Sequence, residues 1–410
     1  MTSRTNLDIL LLISLYLLPQ LSFISNLYDE VVFMYMLVAI IARMVLKNRD
    51  VLFPILIVVY LMYSLFLIVY NSIPITHIMQ IFITSKFLII FLYFYTNSDA
   101  YKELLFRKLM KLIIFIFILS LIISILQFIL PSYFHGYSPD GRGWMSINAS
   151  GIFFNRIYYS SFLVMSIILI MSIRVNHEKL FQNIIKYRYI FLVITLTLLV
   201  LTFARKEMII GFFLLFYLFK NRIRRNSKLL FYILLFVLLI LFSILFYILF
   251  LDINNSTFTE KQIRFLMLIH SWDIFTYYFP FGSGPGTYGS IMSIDYTVVY
   301  EKFNVAKFIY LGYGDDVRGP IFDLYLFGLL AEYGLGLILI LYMLKKIAFS
   351  NTIESIDYYM NSSKIKLALI VQLFIVSIFV PIFGNWIGYL IFTILGILST
   401  KRKRYHKVTK

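Results

Sequence analysis

The 410-residue chain is 61% hydrophobic and 14% charged, whereas soluble domains carry about 45–50% apolar and about 25% charged residues. This composition excludes an ordinary soluble domain and predicts that lipid surrounds most of the chain. Cysteine is absent, which excludes disulfides, thiolate metal sites and a cysteine nucleophile. The net charge of +17 would suggest a nucleic-acid partner only if the basic residues formed a patch, and their distribution argues otherwise.

Apolar runs long enough to cross a bilayer recur along the chain, since about 20 residues span roughly 30 Å of hydrocarbon. We predict about twelve transmembrane helices, with about ten or eleven as alternatives because several runs are short. The runs are 7–25, 31–46, 51–70, 75–95, 109–130, 156–173, 188–203, 207–220, 229–251, 321–344, 365–382 and 384–400. The first run lacks a small-residue cleavage site, which indicates a retained signal anchor.

Topology follows from the basic residues. With a cytoplasmic N-terminus and twelve spans, most of the 37 Lys and Arg residues fall in connections on the inner side, as the positive-inside rule requires. These connections are 43–49, 102–111, 174–188, 220–228, 345–366 and 401–410. The positive charge is therefore a topology signal, and we expect membrane lipid rather than nucleic acid as a partner. Lys86 is the clear basic residue well inside a span.

The expected fold class is all-α, a polytopic transmembrane bundle with a large extracytoplasmic loop domain. We predict N-terminal spans at 1–130, core spans at 131–251 with an outer loop at 131–155, the loop domain at 252–320, C-terminal spans at 321–400, and a basic cytoplasmic tail at 401–410. A connection as long as 252–320 is rarely structureless, so we expect it to have its own fold.

An amphipathic helix is predicted within the loop domain. Thr257 and Glu260 fit a capping box. After them, Ile263, Leu266, Met267 and Ile274 make a face that could lie at the membrane interface.

Arginines stand out on the predicted outer side, and a guanidinium can grip a phosphate through two parallel hydrogen bonds. Three of them, Arg156, Arg205 and Arg318, lie close to the starts of inward-running spans, where helix N–H groups and dipoles favour anions. The others are Arg142 and Arg264. This pattern predicts a site for a lipid-linked pyrophosphate. The alternative is that the arginines contact lipid headgroups or pair with Glu207, Asp316 and Asp323.

Other polar groups on the outer side are less specific. The glycine-rich residues 281–289 could offer backbone N–H groups to a phosphate, but no P-loop lysine follows, so a tight turn closing the outer domain is the other interpretation. Asp315 and Asp316 lack a third ligand nearby, and we expect no metal. Candidate general bases are His135, His270, Asp323 and Glu332. Glu332 lies nearly three turns into a span, where a carboxylate needs a partner, and we interpret it as a structural, hydrogen-bonded acid.

Three segments in order resemble the O-antigen polymerase and ligase superfamily. LLVLTFARKEMIIGF at 198–212 resembles its "SR" helix pair, with Ala204 where serine is common. PFGSGPGTYGS at 280–290 is similar to the glycine stretch in the outer loop of that superfamily. FDLYLFGLLAEYGLGLILIL at 322–341 is similar to the start of the superfamily's next span. The agreement covers about residues 140–345. Ligases of the superfamily usually carry histidine where Asp323 stands, so the resemblance favours a Wzy-type polymerase.

The resemblance implies a GT-C-like, metal-independent glycosyltransferase without a cofactor in the bacterial inner membrane. It would join undecaprenyl-pyrophosphate-linked oligosaccharide units at the outer face, with a chain-length regulator as a further partner. The catalytic residues implied are Arg205 and Arg318, which stabilise the leaving pyrophosphate, and Asp323 or His270, which assists the nucleophile. The substrate-binding residues implied are Arg142, Arg156, Arg264, Gly284, Gly286 and Tyr288.

Two other functions stay open at this point. One is an O-antigen ligase. The other is a lipid-linked oligosaccharide flippase or another transporter, although such proteins commonly show paired repeats and we find no repeat in this sequence.

Overall fold

The chain folds into a bundle of α-helices. A computed structural model describes residues 2–17, 28–47, 52–134, 148–153, 155–174, 179–202, 204–226, 260–294, 298–303, 324–378 and 385–400, and residues 228, 232, 236, 240, 296 and 383 singly. The described part contains one small pairing of two-residue strands, which the all-α prediction misses. The mostly helical class is confirmed.

The helices follow one another with short connections where the structure describes both neighbours. In chain order they are α1 Thr2–Leu17, α2 Tyr28–Lys47, α3 Leu52–Tyr70, α4 Ile78–Tyr95, α5 Asp99–Ile129, α6 Arg156–Ser172, α7 Lys179–Leu201, α8 Arg205–Asn226, α9 Glu260–Tyr277, α10 Val298–Lys302, α11 Tyr325–Tyr333, α12 Leu337–Ala348, α13 Glu354–Tyr359, α14 Ser362–Ser377 and α15 Trp386–Leu398. The strands are β1 Asn351–Thr352 and β2 Ser399–Thr400, which pair antiparallel.

Side chains within the helices satisfy the polar groups that these apolar sequences carry. The Asn155 side chain accepts hydrogen bonds from the first N–H groups of α6, and Asn385 does the same for α15. Buried hydroxyls donate to carbonyl oxygens one turn back, as Ser166 does to Phe162 O at 2.9 Å. Since an unpaired polar group in an apolar medium costs several kcal/mol, such local bonds let serine and threonine occupy buried helix positions.

Five described helical segments are long and apolar enough to cross a membrane. They are Phe53–Tyr70, Ile75–Tyr95, Asp99–Ile129, Gln182–Leu201 and Tyr325–Ala348. Shorter apolar helices are Arg156–Ser172, Glu207–Tyr217 and Trp386–Leu398. The chain therefore has the character of a membrane protein, as its composition predicts.

Helix packing places the connections at two opposite ends of the bundle. Phe87 of α4 contacts Phe392 of α15, with ring centroids 4.7 Å apart. One turn further, Gly396 lies so close to α4 that a Cβ there would stand 2.6 Å from Phe91 O. The two helices therefore run in the same direction. The small residue lets the two backbones approach closely, as is common between membrane helices.

One end, which we call the lysine end, carries the start of α1, residues 96–102, 173–174 and 349–361, and β2. Lys102 and Lys366 are buried there: Lys102 donates to Ser399 O at 2.6 Å, and Lys366 donates to the carbonyl and hydroxyl oxygens of Ser350. Arg4 donates to Asn97 Oδ1 at 3.0 Å. These contacts join segments that the predicted topology places together on the inner side.

The other end, which we call the glycine end, carries residues 71–77, 148–155, 201–204 and 281–290 and the start of α15. A hydrogen bond from Ala149 N–H to Leu201 O (3.0 Å) joins the residues that precede α6 to those that precede α8. Trp386, at the start of α15, stacks on Phe153 with ring centroids 4.5 Å apart. The N-termini of α4, α6, α8 and α15 therefore share this end.

Several predicted spans differ from the helices in their bounds. The fifth was predicted from residue 109, but α5 begins at Asp99, because its first, basic turns are also good helix formers. The tenth, predicted as continuous over 321–344, is interrupted by a 3₁₀ turn at Gly334–Gly336 between α11 and α12. Helix propensity alone did not predict this break, which is caused by a tertiary contact.

Lys86, the basic residue predicted inside a span, lies in α4 and is paired. Its Nζ lies 3.0 Å from Glu30 Oε1 of α2 and 5.2 Å from the centroid of the Phe33 ring. A charge inside an apolar bundle is tolerated when a partner of opposite charge contacts it. The pair joins α2 to α4.

Some predicted features lie outside the described residues. They are the capping box at Thr257, the outer loop around Arg142 and His135, the ninth span at 229–251 except for three single residues, the segment with Asp315, Asp316, Arg318 and Asp323, and the tail 401–410.

Candidate functional site

The glycine-rich residues 281–290, hereafter the glycine segment, dock into the break between α11 and α12. Ser283 N–H donates to Ala331 O at 2.9 Å, and Gly284 N–H donates to Glu332 O at 2.8 Å. On the other side of the break, Leu335 N–H donates to Pro280 O at 2.9 Å. The segment therefore supplies the partners that the interrupted helix no longer provides for its own backbone.

Glycine is needed at the two positions where these backbones touch. Gly282 has φ +87°, and a Cβ on it would lie 2.5 Å from both Glu332 O and Gly334 N. Gly334 has φ +54° and ψ −130°, and a Cβ there would lie 2.4 Å from Pro280 O. Both the positive φ and the contact with backbone atoms exclude a side chain. This is the physical reason for glycines in the two segments that carry the resemblance.

The Glu332 carboxylate lies under the glycine segment with its residue only 1% exposed. Its Oε1 accepts a hydrogen bond from Tyr288 N–H at 3.1 Å. Glu332 is thus hydrogen-bonded, as the sequence predicts, and its partner is the glycine segment; its structural role stays a prediction.

The backbone of the glycine segment is largely engaged within the protein. Gly284 and Tyr288 donate their N–H groups to Glu332, and Gly289 donates to the Tyr300 hydroxyl at 2.8 Å. The Tyr288 hydroxyl donates to Met267 O at 3.0 Å, and burial raises the pKa of this phenol well above its usual range. This conformation favours the tight-turn interpretation over a phosphate nest. Substrate binding by Gly284, Gly286 and Tyr288 stays a prediction.

Two of the predicted arginines begin helices at the glycine end. Arg156 is the first residue of α6 and follows the cap Asn155. Arg205 is the first residue of α8, four residues after α7 ends at Leu201, and follows Ala204. Since Ala149 and Leu201 are hydrogen-bonded, these two helix starts lie at the same end of the bundle. Helix N-termini carry partial positive charge, so this end favours an anion.

The starts of two further helices belong to the same end. Tyr158, near the start of α6, contacts Trp386 of α15 edge-on, with ring centroids 5.9 Å apart. Phe383 contacts Tyr325, the first residue of α11, at 5.8 Å. A continuous set of contacts therefore connects the three segments that carry the resemblance: the start of α8, the start of α11, and the glycine segment.

The candidates Arg264 and His270 lie on α9, which packs on α11. His270 is partly buried, and its Nδ1 lies 3.7 Å from Asp273 Oδ2. Burial lowers the pKa of His270, while the Asp273 carboxylate opposes this shift. A neutral imidazole at neutral pH is suited to accept a proton, so His270 stays a candidate base. Arg264 is placed by its backbone in the second turn of α9.

The remaining candidates, Arg142, Arg318 and Asp323, lie outside the described residues. Among the residues that the structure describes, there is no group of three or more His, Asp or Glu side chains that could hold a metal ion.

The prediction of the apolar interface face of α9 was wrong for Met267 and Ile274. Met267 and Ile274 are buried in a cluster with Tyr288, Leu324 and Ala331, because this face of α9 packs on α11. Exposed aromatic side chains lie elsewhere: Trp272 on α9 is 59% exposed, and Phe279, two residues after α9 ends, is 59% exposed. Phe275 contacts both rings, at 5.4 and 5.7 Å.

This aromatic row predicts that α9 contacts lipid. Tryptophan and its aromatic neighbours favour the membrane–water interface. In a variant whose single tryptophan is Trp272, with Trp144 and Trp386 replaced by phenylalanine, we expect lipids brominated near the headgroup to quench the fluorescence strongly. The matched control keeps only Trp386, which is 6% exposed and stacked on Phe153 and should be quenched weakly. Equal quenching of the two variants would contradict the assignment.

His77 was not among the sequence-predicted candidates, although the structure places it against the glycine segment. Its Nδ1 lies 3.1 Å from Pro285 O. One signal was present: the predicted topology puts residues 71–74 in an outer turn and begins the next span at residue 75, so His77 lies near the same side as the other candidates. The contact with Pro285 is not readable from the sequence.

The fold and the site together define a helical protein with membrane-spanning character that gathers helix starts and glycine turns at one end. No family model matches the sequence, and neither does any curated protein.

Proposed function

We propose that the protein is a Wzy-type glycosyltransferase of the bacterial inner membrane. It joins undecaprenyl-pyrophosphate-linked oligosaccharide units at the outer face. In this proposal about twelve helices cross the bilayer, the lysine end faces the cytoplasm in accordance with the positive-inside rule, and the glycine end faces outward beside the loop domain.

One observation carries the proposal. The three segments that resemble the polymerase and ligase superfamily are far apart in sequence, yet contacts connect them at the glycine end. There the glycine segment forms hydrogen bonds with the backbone and side chain of Glu332. A chance resemblance of separate loose motifs would not require them to meet. The arginines at the starts of α6 and α8 lie at the same end.

The reaction has a simple charge requirement. A hydroxyl at the end of one oligosaccharide attacks the anomeric carbon of another, and undecaprenyl pyrophosphate leaves with the bonding electrons. Negative charge grows on the leaving pyrophosphate. Arg205, Arg318 and the helix dipoles stabilise it, while Arg142, Arg156 and Arg264 orient the substrates.

The test measures polymer length in a strain that lacks the native gene and expresses variants of this chain. We expect Arg205→Ala to abolish long chains, because removing one stabilising donor from such a site costs about 10²–10³ in kcat. Arg205→Lys keeps the charge but loses the bidentate geometry, so we expect shortened chains. The matched control is Arg188→Ala, in the half of α7 remote from the glycine end, which should give wild-type ladders.

The possible outcomes separate the proposed function from its rivals. Normal long-chain ladders from both Arg205 variants would refute the role of Arg205. In the null strain, single repeat units that accumulate facing outward support a polymerase. Units that accumulate facing inward would indicate a flippase, and complete polymers left on the lipid carrier would indicate a ligase.

A further inference from the structure

The strongest additional feature of the glycine end is His77. It ends the 3₁₀ turn Ile75–His77 that leads into α4, and it is 3% exposed. Its Nδ1 lies 3.1 Å from Pro285 O. A carbonyl oxygen only accepts hydrogen bonds, so Nδ1 carries the proton of the neutral ring, and Nε2 is the nitrogen with the free electron pair.

The surroundings hold the imidazole ring in place. Tyr296 contacts it edge-on, with ring centroids 5.1 Å apart. Gly286 has φ +81°, and a Cβ there would lie 2.4 Å from His77 Nδ1, so the glycine leaves room for the ring. Within the described part of the chain Nε2 has no hydrogen-bond partner, and it is not among the fully enclosed polar atoms. The ring is thus oriented, and Nε2 carries its free electron pair.

We propose that His77 is the general base that activates the acceptor hydroxyl; this inference rests on the proposed function above. His77 Nε2 takes the hydroxyl proton as the hydroxyl oxygen forms its bond to the anomeric carbon of the donor. The bond from that carbon to the pyrophosphate oxygen breaks, and the pyrophosphate leaves with the electron pair. The imidazolium then returns its proton to water. The Pro285 carbonyl has the orienting role that a third group plays in other nucleophile–base arrangements.

Location distinguishes His77 from the other candidate bases that the structure describes. The Glu332 carboxylate is enclosed beneath the glycine segment and accepts the Tyr288 N–H, so a substrate hydroxyl does not reach it. His270 lies on α9 beside Asp273. His77 lies at the start of α4, at the end of the bundle that also carries Arg156 and Arg205.

The experiment uses the full chain in proteoliposomes with a synthetic undecaprenyl-pyrophosphate-linked repeat unit. It compares wild type, His77→Ala, His77→Asn, His270→Ala and the control Thr76→Ala, whose side chain is exposed. Asparagine can keep the hydrogen bond to Pro285 O but supplies no base. We expect kcat to fall about 10²–10⁴-fold in both His77 variants, the usual contribution of a general base, with KM changed less than about threefold. Added imidazole should restore part of the activity of His77→Ala. Thr76→Ala should be as active as wild type, so imidazole should leave its activity unchanged.

The outcomes that would overturn the inference are specific. A His77→Asn enzyme with near wild-type kcat means that the ring acts only through packing. Imidazole rescue of His270→Ala, without rescue of His77→Ala, assigns the base to His270. If His77→Ala does not fold, the kcat of His77→Asn decides. None of these outcomes changes the behaviour expected of the wild type and of the Arg205 variants, so the proposed function stands in each case. A wild-type enzyme that forms no polymer refutes the proposed function, and the inference with it.

Discussion

Alanine in place of Gly282 is expected to prevent the glycine segment from docking between α11 and α12. The added Cβ would lie 2.5 Å from two backbone atoms, Glu332 O and Gly334 N, and neither can move without breaking a backbone hydrogen bond. A side chain in this unusual backbone conformation costs about 1–3 kcal/mol, and overpacking costs about 1–3 kcal/mol more. We therefore expect the free energy of unfolding to fall by about 2–6 kcal/mol.

Thermal unfolding of the purified chain in detergent measures this effect. The matched control is Gly211→Ala in α8, where the nearest atom to the added Cβ is Leu199 Cδ2 at 2.8 Å, the end of a flexible side chain. We expect Gly211→Ala to lower Tm only slightly and Gly282→Ala to lower it by many degrees. Similar Tm values for the two variants would mean that the contact between the glycine segment and α11–α12 contributes little to stability.

Leucine in place of Glu332 should destabilise the same contact, whereas glutamine should not. Leucine has a similar volume but offers no acceptor to Tyr288 N–H, and an enclosed N–H group left unpaired costs about 1–3 kcal/mol. Glutamine keeps an oxygen at the same position. We expect the unfolding free energy of Glu332→Gln to lie within about 1 kcal/mol of wild type, below the cost of an unpaired donor.

Polymer length adds a functional measurement to this pair. If Glu332 is a structural acid, Glu332→Gln makes long chains and Glu332→Leu makes few, in parallel with their stability. A Glu332→Gln variant that unfolds like wild type but forms no polymer would show that the negative charge has a chemical role, and the structural interpretation would then be wrong.

Much of the architecture is readable in the sequence because lipid imposes strong constraints. A chain in hydrocarbon must satisfy its backbone within each helix, so apolar runs of sufficient length mark helices directly. The predicted run at 156–173 corresponds to α6, Arg156–Ser172. The prediction that Arg205 follows a very short connection also agrees with the end of α7 at Leu201 and the start of α8 at Arg205.

The sequence was less informative where polar or glycine residues interrupt these runs. The span at 321–344 was predicted as unbroken, since Leu, Ile and Tyr flank the two glycines on both sides. Only the approach of Pro280 and Gly282 explains why the helix stops at Gly334. Likewise, Met267 and Ile274 of α9 are apolar and could face either lipid or protein. Only the structure shows that they pack against Tyr288 and Ala331.

By itself, then, the sequence determined the helical class, most of the helix positions and the residue types gathered near the helix starts, because these depend on local composition and on the solvation of each segment. The tertiary structure alone decided which side chains meet. His77 and Pro285 are 208 residues apart, and Tyr288 and Glu332 are 44 apart. Contacts over such separations depend on the packing of whole helices, which no local pattern encodes.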